Sequence, residues 1–397
     1  MKNLLQRIIF PEIKDINCKE LFFRENETNC MAFGENSTSI YELHFNTWMN
    51  LFAAKKWFYY TIIQDLYLGL DIQGDFSIEI IGSNRNTAYN RIDEKIICKE
   101  YRENLKPLYI QIINPQKYES IYFVLRYRKE RKCTINNIGW YTESEPHKKN
   151  KLAIVTCTFK REDYIYRTLD MFENYLESNK QLCDRMHLFV IDNGKTLNLN
   201  YHYKHADIYY NMNAGGAGGF GRGLIEACKS EEDYTRCLFM DDDVEIIPES
   251  FYRTLVLSDY LKDKYKNALV NGAMLDIYRK NMFFENLAMQ NGLWLRPYHS
   301  EADLFNYDDV LRVNYIPEEV FYNSYPKVDG GWYYCSFAID KNKSIDNLPL
   351  PIFIRGDDAE YGFRHHGEVF ISLNGICIWH APFYYRVNKV TDSYYLY

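Results

Sequence analysis

The alternation of apolar and polar positions changes character near residue 145. Before that point, "WFYYTIIQDLYLGLDIQGDFSIEIIGS" holds two strand-like runs, Trp57 to Leu70 and Phe76 to Ile81, broken by "QGD". "PLYIQIIN" and "SIYFVLRYR" continue the pattern. β-branched and aromatic residues dominate each run, turn residues separate them, and no long helical period intervenes. Residues 1–145 are therefore expected to form an all-β sandwich or jelly roll. "YTESEPHKKNK" (Tyr141 to Lys151) is polar and charged and reads as a linker.

From Lys151 onward, apolar strand runs alternate with stretches of helical spacing. "LAIVTCTF", "MHLFVIDNG", "ADIYYNMN" and "RCLFMDDD" read as strands; "DYIYRTLDMFENYLESN" and "GRGLIEACKS" read as helices. Such alternation predicts a parallel α/β sheet over residues 146–397. Ligands of such sheets sit beyond the carboxyl ends of the strands. Thr158, Asp192, Asn213 and the triplet Asp241, Asp242 and Asp243 all fall at those ends.

A length of 397 residues calls for more than one core, in keeping with the two patterns. The net charge of −7 argues against a nucleic-acid binder. Ten cysteines without a CxxC pair argue against a zinc site or a disulfide scaffold and fit a reducing cytoplasm. "MKNLLQRIIF" is too short and interrupted for a signal peptide, and no apolar run is long enough to span a bilayer. The sequons at Asn26 and Asn36 then read as chance matches. The 36 tyrosines suit strand faces and cores as well as sugar stacking.

Five stretches carry candidate chemistry. "NAGGAGGFGRG" contains a literal GxGxxG from Gly216 to Gly221, with Asp241 twenty residues beyond it, as a dinucleotide fingerprint requires. However, it follows the third strand of the α/β half, whereas that fingerprint belongs to the first βαβ unit. It is read instead as a flexible turn letting main chain approach a nucleotide-sugar, with Arg222 near the phosphates. In "LFMDDDVEI", Asp241 and Asp243 share one side of an extended segment and Asp242 takes the other. Two oxygens at a strand end suit Mn²⁺ or Mg²⁺ beside a diphosphate. Finally, "LPLPIFIRGDDAEYGFR" sets Asp357 and Asp358 before a helix, and "ICIWHAPF" ends a strand on His380. Between the last two and the triplet, "VDGGWYYCSF" offers an aromatic step, core or sugar platform.

Together these motifs resemble an inverting nucleotide-sugar glycosyltransferase of GT-A fold, family 2, and more closely its galactofuranosyltransferase branch, with an N-terminal β-sandwich. The likeness spans roughly residues 45 to 390. It implies that Asp241, Asp243 and His380 hold Mn²⁺ or Mg²⁺ and that Asp358 is the general base, with Asp357 orienting it or touching the acceptor. It implies nucleotide contacts from Thr158, Arg161, Asp192, Asn213 and Asp242. Trp332 and Tyr333 would form an acceptor platform, and Glu285 would touch the sugar. The partners implied are a UDP-sugar donor and a glycan or lipid-linked glycan acceptor, with room for homo-oligomers and for peripheral association at the inner membrane face. Tyr333 departs from the paired Trp common in that branch, and the chain stops at "VTDSYYLY" where relatives continue, which suggests truncation. Competing expectations are another donor such as rhamnose or a pyranose, a non-catalytic carbohydrate-binding protein, and an NAD-dependent dehydrogenase.

Overall fold

The computed structural model describes residues 2–30, 38–86, 91–102, 107–128, 133–291, 294–297, 299–314, 328–340, 346–364 and 369–385. Its N-terminal half contains β1 (Asn3–Arg7), β2 (Arg24–Cys30), β3 (Thr38–His44), helix α1 (Ala54–Tyr60), β4 (Tyr67–Gln73), β5 (Phe76–Asn86), β6 (Arg91–Arg102), β7 (Leu108–Gln111), β8 (Ser120–Arg128) and β9 (Thr134–Thr142). The strands form two antiparallel sheets, ordered β1-β9-β4-β7 and β2-β3-β8-β5-β6. Period-two burial drives the pairing: in β5, Phe76, Ile78 and Ile80 are buried while Ser77 and Glu79 are half-exposed. The sheets meet across a common apolar core, where Phe123 of β8 packs against Trp140 of β9 at 6.1 Å.

The expected strand from Trp57 to Leu70 is two elements. Ala54, Trp57 and Tyr60 recur every third residue and form the buried face of helix α1, and β4 begins only at Tyr67. The aromatic residues that favour a strand here fill a helix face because Trp57 stacks on Phe52 at 5.6 Å. Nor is Tyr141–Lys151 a free linker. Tyr141 and Thr142 belong to β9, and the backbone N–H groups of His147 and Asn150 donate to the carbonyl and side chain of Asp259.

The second half runs through β10 (Leu152–Thr158), α2 (Glu162–Ser178), β11 (Met186–Asp192), β12 (Ala206–Tyr210), α3 (Gly215–Lys229), β13 (Arg236–Met240), β14 (Glu245–Ile246), α4 (Glu249–Tyr260), β15 (Leu269–Asp276) and β16 (Met282–Glu285). It continues with β17 (Ala288–Asn291), β18 (Trp294–Pro297), β19 (Ala302–Asp303), α5 (Tyr307–Arg312), β20 (Val328–Asp329), β21 (Cys335–Ala338), α6 (Asp357–Arg364) and β22 (Phe370–His380). The main sheet is ordered β12-β11-β10-β13-β21-β15-β16-β19, with β22 beside β15. It is parallel from β12 to β13, as the alternation predicts, and becomes mixed at antiparallel β21. Because β10 has β11 on one side and β13 on the other, the strand order reverses there and opens a crevice at the strand ends. Thr158 and the aspartate triplet flank it.

The two halves share one apolar core, running from Leu5 and Trp57 to Leu238 and Ile378. Polar contacts fix their register. Fully buried Arg253 of α4 donates to the carbonyls of Met49 (2.7 Å) and Arg7 (3.0 Å), and Asn374 of β22 donates to those of Trp48 and Leu51. Among the described residues no helix is long and apolar enough to cross a membrane.

Candidate active site

β13 is an unbroken buried run, Arg236 to Met240, and it ends where three consecutive carboxylates would otherwise have to be buried. The short pairing of β14 with β22, Glu245 opposite Trp379, then draws the end of β22 over the triplet. As a result His380, almost fully buried, sets Nε2 3.0 Å from Asp243 Oδ1 and 3.7 Å from Asp241 Oδ2. One potential ligand atom from each of Asp241, Asp243 and His380 lies within 4.8 Å of the others. Two hard oxygens and an imidazole nitrogen fit a divalent cation, and the nitrogen suits Mn²⁺ better than Mg²⁺.

Asp242 does not face away from this cluster as an extended strand would have it. The chain bends immediately after β13, and Arg161 reaches both neighbours: Nη1 lies 3.1 Å from Asp242 Oδ1 and also pairs with Asp243 Oδ2. Burial pushes the Asp242 carboxyl above its usual range against the pull of Arg161. Arg161 is the residue preceding α2, whose N-terminus favours anions.

The glycine-rich stretch is not a flexible turn. Helix α3 begins at Gly215, so "GGAGGFG" forms its first turns. The glycines serve two close approaches. Side chains at Gly219 and Gly223 would overlap Cys157 and Val155, so α3 lies hard against β10. Gly215 has φ +72°, and a Cβ there would overlap the carbonyl of Phe353, to which Gly216 donates its N–H at 3.3 Å. That contact seats residues 353–357 on the start of α3, where the Ala217 N–H donates to Asp357. Two motifs far apart in sequence thus form one structure, with the acidic pair at a helix N-terminus. Arg222 lies about two turns into the helix and bonds Glu226 at 2.6 Å.

Asp357 and Asp358 open α6. Burial and the neighbouring Asp358 charge push Asp357 up to about 6, and burial raises Asp358 as well. Glu285, at the end of β16, is pushed up to about 7 by burial and then by the charge of Asp358. The structure therefore brings Glu285 beside the acidic pair, an arrangement no local pattern around "FFENLAM" discloses. Carboxylates raised in this way are poised to hold or release protons near neutrality.

Other expected site residues have different surroundings. Asp192 is fully buried, and its oxygens accept the backbone N–H groups of Gly194, Thr196 and Leu197, so it shapes the loop after β11. Thr158 is buried at the end of β10, and exposed Asn213 accepts the N–H of Gly215. Trp332 and Tyr333 are both buried; Trp332 packs against Phe220, Phe239 and Tyr361 with centroids 5.1 to 5.8 Å apart. They lie in the packing of the sheet and present no open acceptor platform. One residue escaped the motif reading. Asp276 ends β15 opposite His380 and accepts from Arg279 (2.9 Å) and the Tyr384 hydroxyl (3.3 Å), tying the turn after β15 to the chain that follows that histidine. Its signal is an aspartate closing a buried strand, as at Asp192 and Asp241.

Residues 5–143 match the family model for the N-terminal domain of galactofuranosyltransferase 2. The chain is 25% identical over 409 aligned positions to galactofuranosyltransferase GlfT2 of Mycolicibacterium smegmatis, covering 95% of this chain and 60% of that protein. It is 24% identical to GlfT2 of Mycobacterium tuberculosis, covering 95% and 61%. The chain therefore spans about three fifths of the length of these curated relatives. Among solved structures, the mannosyltransferase PcManGT of Pyrobaculum calidifontis, in complex with GDP-Man and Mn²⁺, is similar at a TM-score of 0.37 and 13% identity over 60% of this chain and 58% of that one. That likeness is too slight to bear on the site.

Proposed function

We propose that this chain, a relative of the galactofuranosyltransferases along nearly its whole length, is an inverting, metal-dependent glycosyltransferase of GT-A fold. Its proposed reaction moves galactofuranose from UDP-galactofuranose to a hydroxyl of a growing bacterial cell-surface polysaccharide or lipid-linked glycan. The observation that carries this reading is the cluster of Asp241, Asp243 and His380 at the strand-order reversal, in the same half as the half-buried pair Asp357 and Asp358. The same fold with another nucleotide-sugar donor uses the same residues and is told apart by donor competition.

Asp241, Asp243 and His380 would hold the divalent cation, which when bound neutralises negative charge on a departing diphosphate. The chain's own groups do the rest. Asp358 accepts the proton of the acceptor hydroxyl as that oxygen attacks the anomeric carbon, and the bond to the diphosphate breaks on the opposite face, inverting the centre. Asp357, held on the start of α3, keeps α6 and hence Asp358 in place. Arg161, at the start of α2, binds the diphosphate oxygens. Glu285, beside Asp358, is set to bond a sugar hydroxyl. Synthesis at the cytoplasmic membrane face would follow if the acceptor is lipid-linked.

Two experiments test the reading. Thermal stability is measured with UDP, with UDP and Mn²⁺, and with NAD, in the wild type and in Asp243→Ala. A ligand at ~100 times its Kd adds about 2.7 kcal/mol to the native state. Stabilisation by UDP that requires Mn²⁺ and disappears in Asp243→Ala is expected; no response to UDP sinks the transferase, and a response to NAD revives the dehydrogenase. Second, the base works only when ionised, and burial holds the Asp358 carboxyl above its usual range. The transfer rate is therefore expected to fall on the acid side at a higher pH than an ordinary carboxylate would set, measured as kcat/KM against pH. An acid limb at the ordinary carboxylate position would remove Asp358 from the role of base.

A further inference from the structure

Asp243 has a partner on each oxygen. Oδ1 lies 3.0 Å from His380 Nε2, inside the candidate cation cluster, while Oδ2 pairs with Arg161. The same Arg161 nitrogen holds Asp242 Oδ1 at 3.1 Å. One guanidinium thus answers the negative charge of two carboxylates, and one of these belongs to the set that would ligate a divalent cation.

These two positive partners oppose each other. A divalent cation among Asp241, Asp243 and His380 draws electron density from Asp243 and stands close to the guanidinium, where like charges repel. Arg161 cannot yield by losing its proton, since an arginine stays charged throughout the accessible pH range. It can only move its head group. It has room to do so: its side chain is 40% exposed, while its backbone is fixed by donation from Tyr164 and Ile165 to its carbonyl. A diphosphate offers the displaced guanidinium an alternative partner, at the start of the 17-residue helix α2, whose N-terminus itself favours anions.

We infer that Arg161 is the positioning residue that makes cation binding depend on the nucleotide: it balances the aspartates until a nucleoside diphosphate takes it from Asp243. This rests on the nucleotide-sugar reading of the site. The coupling is reciprocal, so the cation must in turn favour the diphosphate through the same side chain, beyond any direct bond between cation and phosphate.

The test uses the full chain as wild type, Arg161→Gln and Arg161→Lys. Binding of Mn²⁺ alone is followed by electron paramagnetic resonance of the free ion, and binding of UDP alone by calorimetry in the presence of a chelator. Arg161→Gln is expected to bind Mn²⁺ alone about tenfold more tightly than the wild type, a typical coupling between sites. It should also bind UDP alone more weakly, and Arg161→Lys, which keeps the charge, should hold Mn²⁺ as the wild type does. Unchanged or weaker Mn²⁺ binding in Arg161→Gln would overturn the inference, leaving Arg161 a phosphate ligand or a prop for the aspartates. If none of the three proteins binds Mn²⁺ even with UDP present, the transferase reading fails, and the inference with it.

Discussion

Replacing Asp358 by Asn is expected to lower the rate of sugar transfer by about 10²- to 10⁴-fold, the usual worth of a positioned general base. The amide keeps the size of the side chain and its oxygen can still accept the Ala359 N–H, so the helix start at α6 should survive. A second readout separates a base from a prop. Burial and then the charge of Asp358 push Glu285 up to about 7 in the folded chain, against the ordinary range, near 4.5, when unfolded. Between those values the native state holds a proton that the unfolded state has released. Stability from this group is therefore greatest below the unfolded value and declines as pH rises through the folded one. Removing the charge of Asp358 should lower the Glu285 value and relieve part of that decline. Asp358→Asn is thus expected to be at least as stable as the wild type at pH 8, and to show a flatter dependence of Tm on pH between 5 and 8. Loss of activity together with a large loss of stability at pH 8 would make Asp358 a structural residue.

The largest effect on stability is expected from Gly375→Ala, on the same strand as His380 but outside the candidate ligand set. β22 carries extra residues relative to β15, with Asn271 opposite Ser372 but Ala273 opposite Cys377, and Gly375 sits in that bulge at φ +69°. A Cβ there would overlap Arg253 Nη1 and approach the Met49 carbonyl at 3.2 Å. The guanidinium cannot simply turn aside, because both its terminal nitrogens donate to carbonyls of the N-terminal half and the side chain is completely buried. The left-handed backbone adds about 1–2 kcal/mol for alanine, and breaking the partnership of a buried charge costs about 3–5 kcal/mol. A loss of about 4 kcal/mol or more is expected, measured by urea unfolding, against a total of about 5–15 kcal/mol for ordinary domains. A loss under about 1 kcal/mol would mean that the bulge adapts and the junction of the halves is looser than its contacts imply.

Much of this architecture is legible in the chain itself. The change from strand grammar to alternating strands and helices separates the all-β half from the α/β half, because period-two and helical burial leave different marks on a sequence. The aspartates of the candidate cation cluster are equally plain, since a buried run such as Arg236 to Met240 must end where charge begins, whereas His380 only marks a strand end and joins them through the family resemblance. Local pattern misled where two structures share a composition. The aromatics after Ala54 read as a strand and form helix α1, and the glycines from Gly215 read as a loop and form the first turns of α3.

Burial and proximity were decided by the tertiary structure. Trp332 has the composition of a sugar platform, yet three aromatic rings enclose it. Asp192 looks like a ligand-facing carboxylate, yet its own loop's N–H groups occupy it. Glu285 beside Asp358, Asp357 on the start of α3, and Arg161 on Asp243 each join segments separated by many residues. The sequence alone determined which elements form and where charge must surface, since those depend on neighbours a few residues away. Which charges then meet depends on the path of the chain between them, and it is their distance and burial in the folded protein that set how strongly each one holds a proton, a cation or a neighbour.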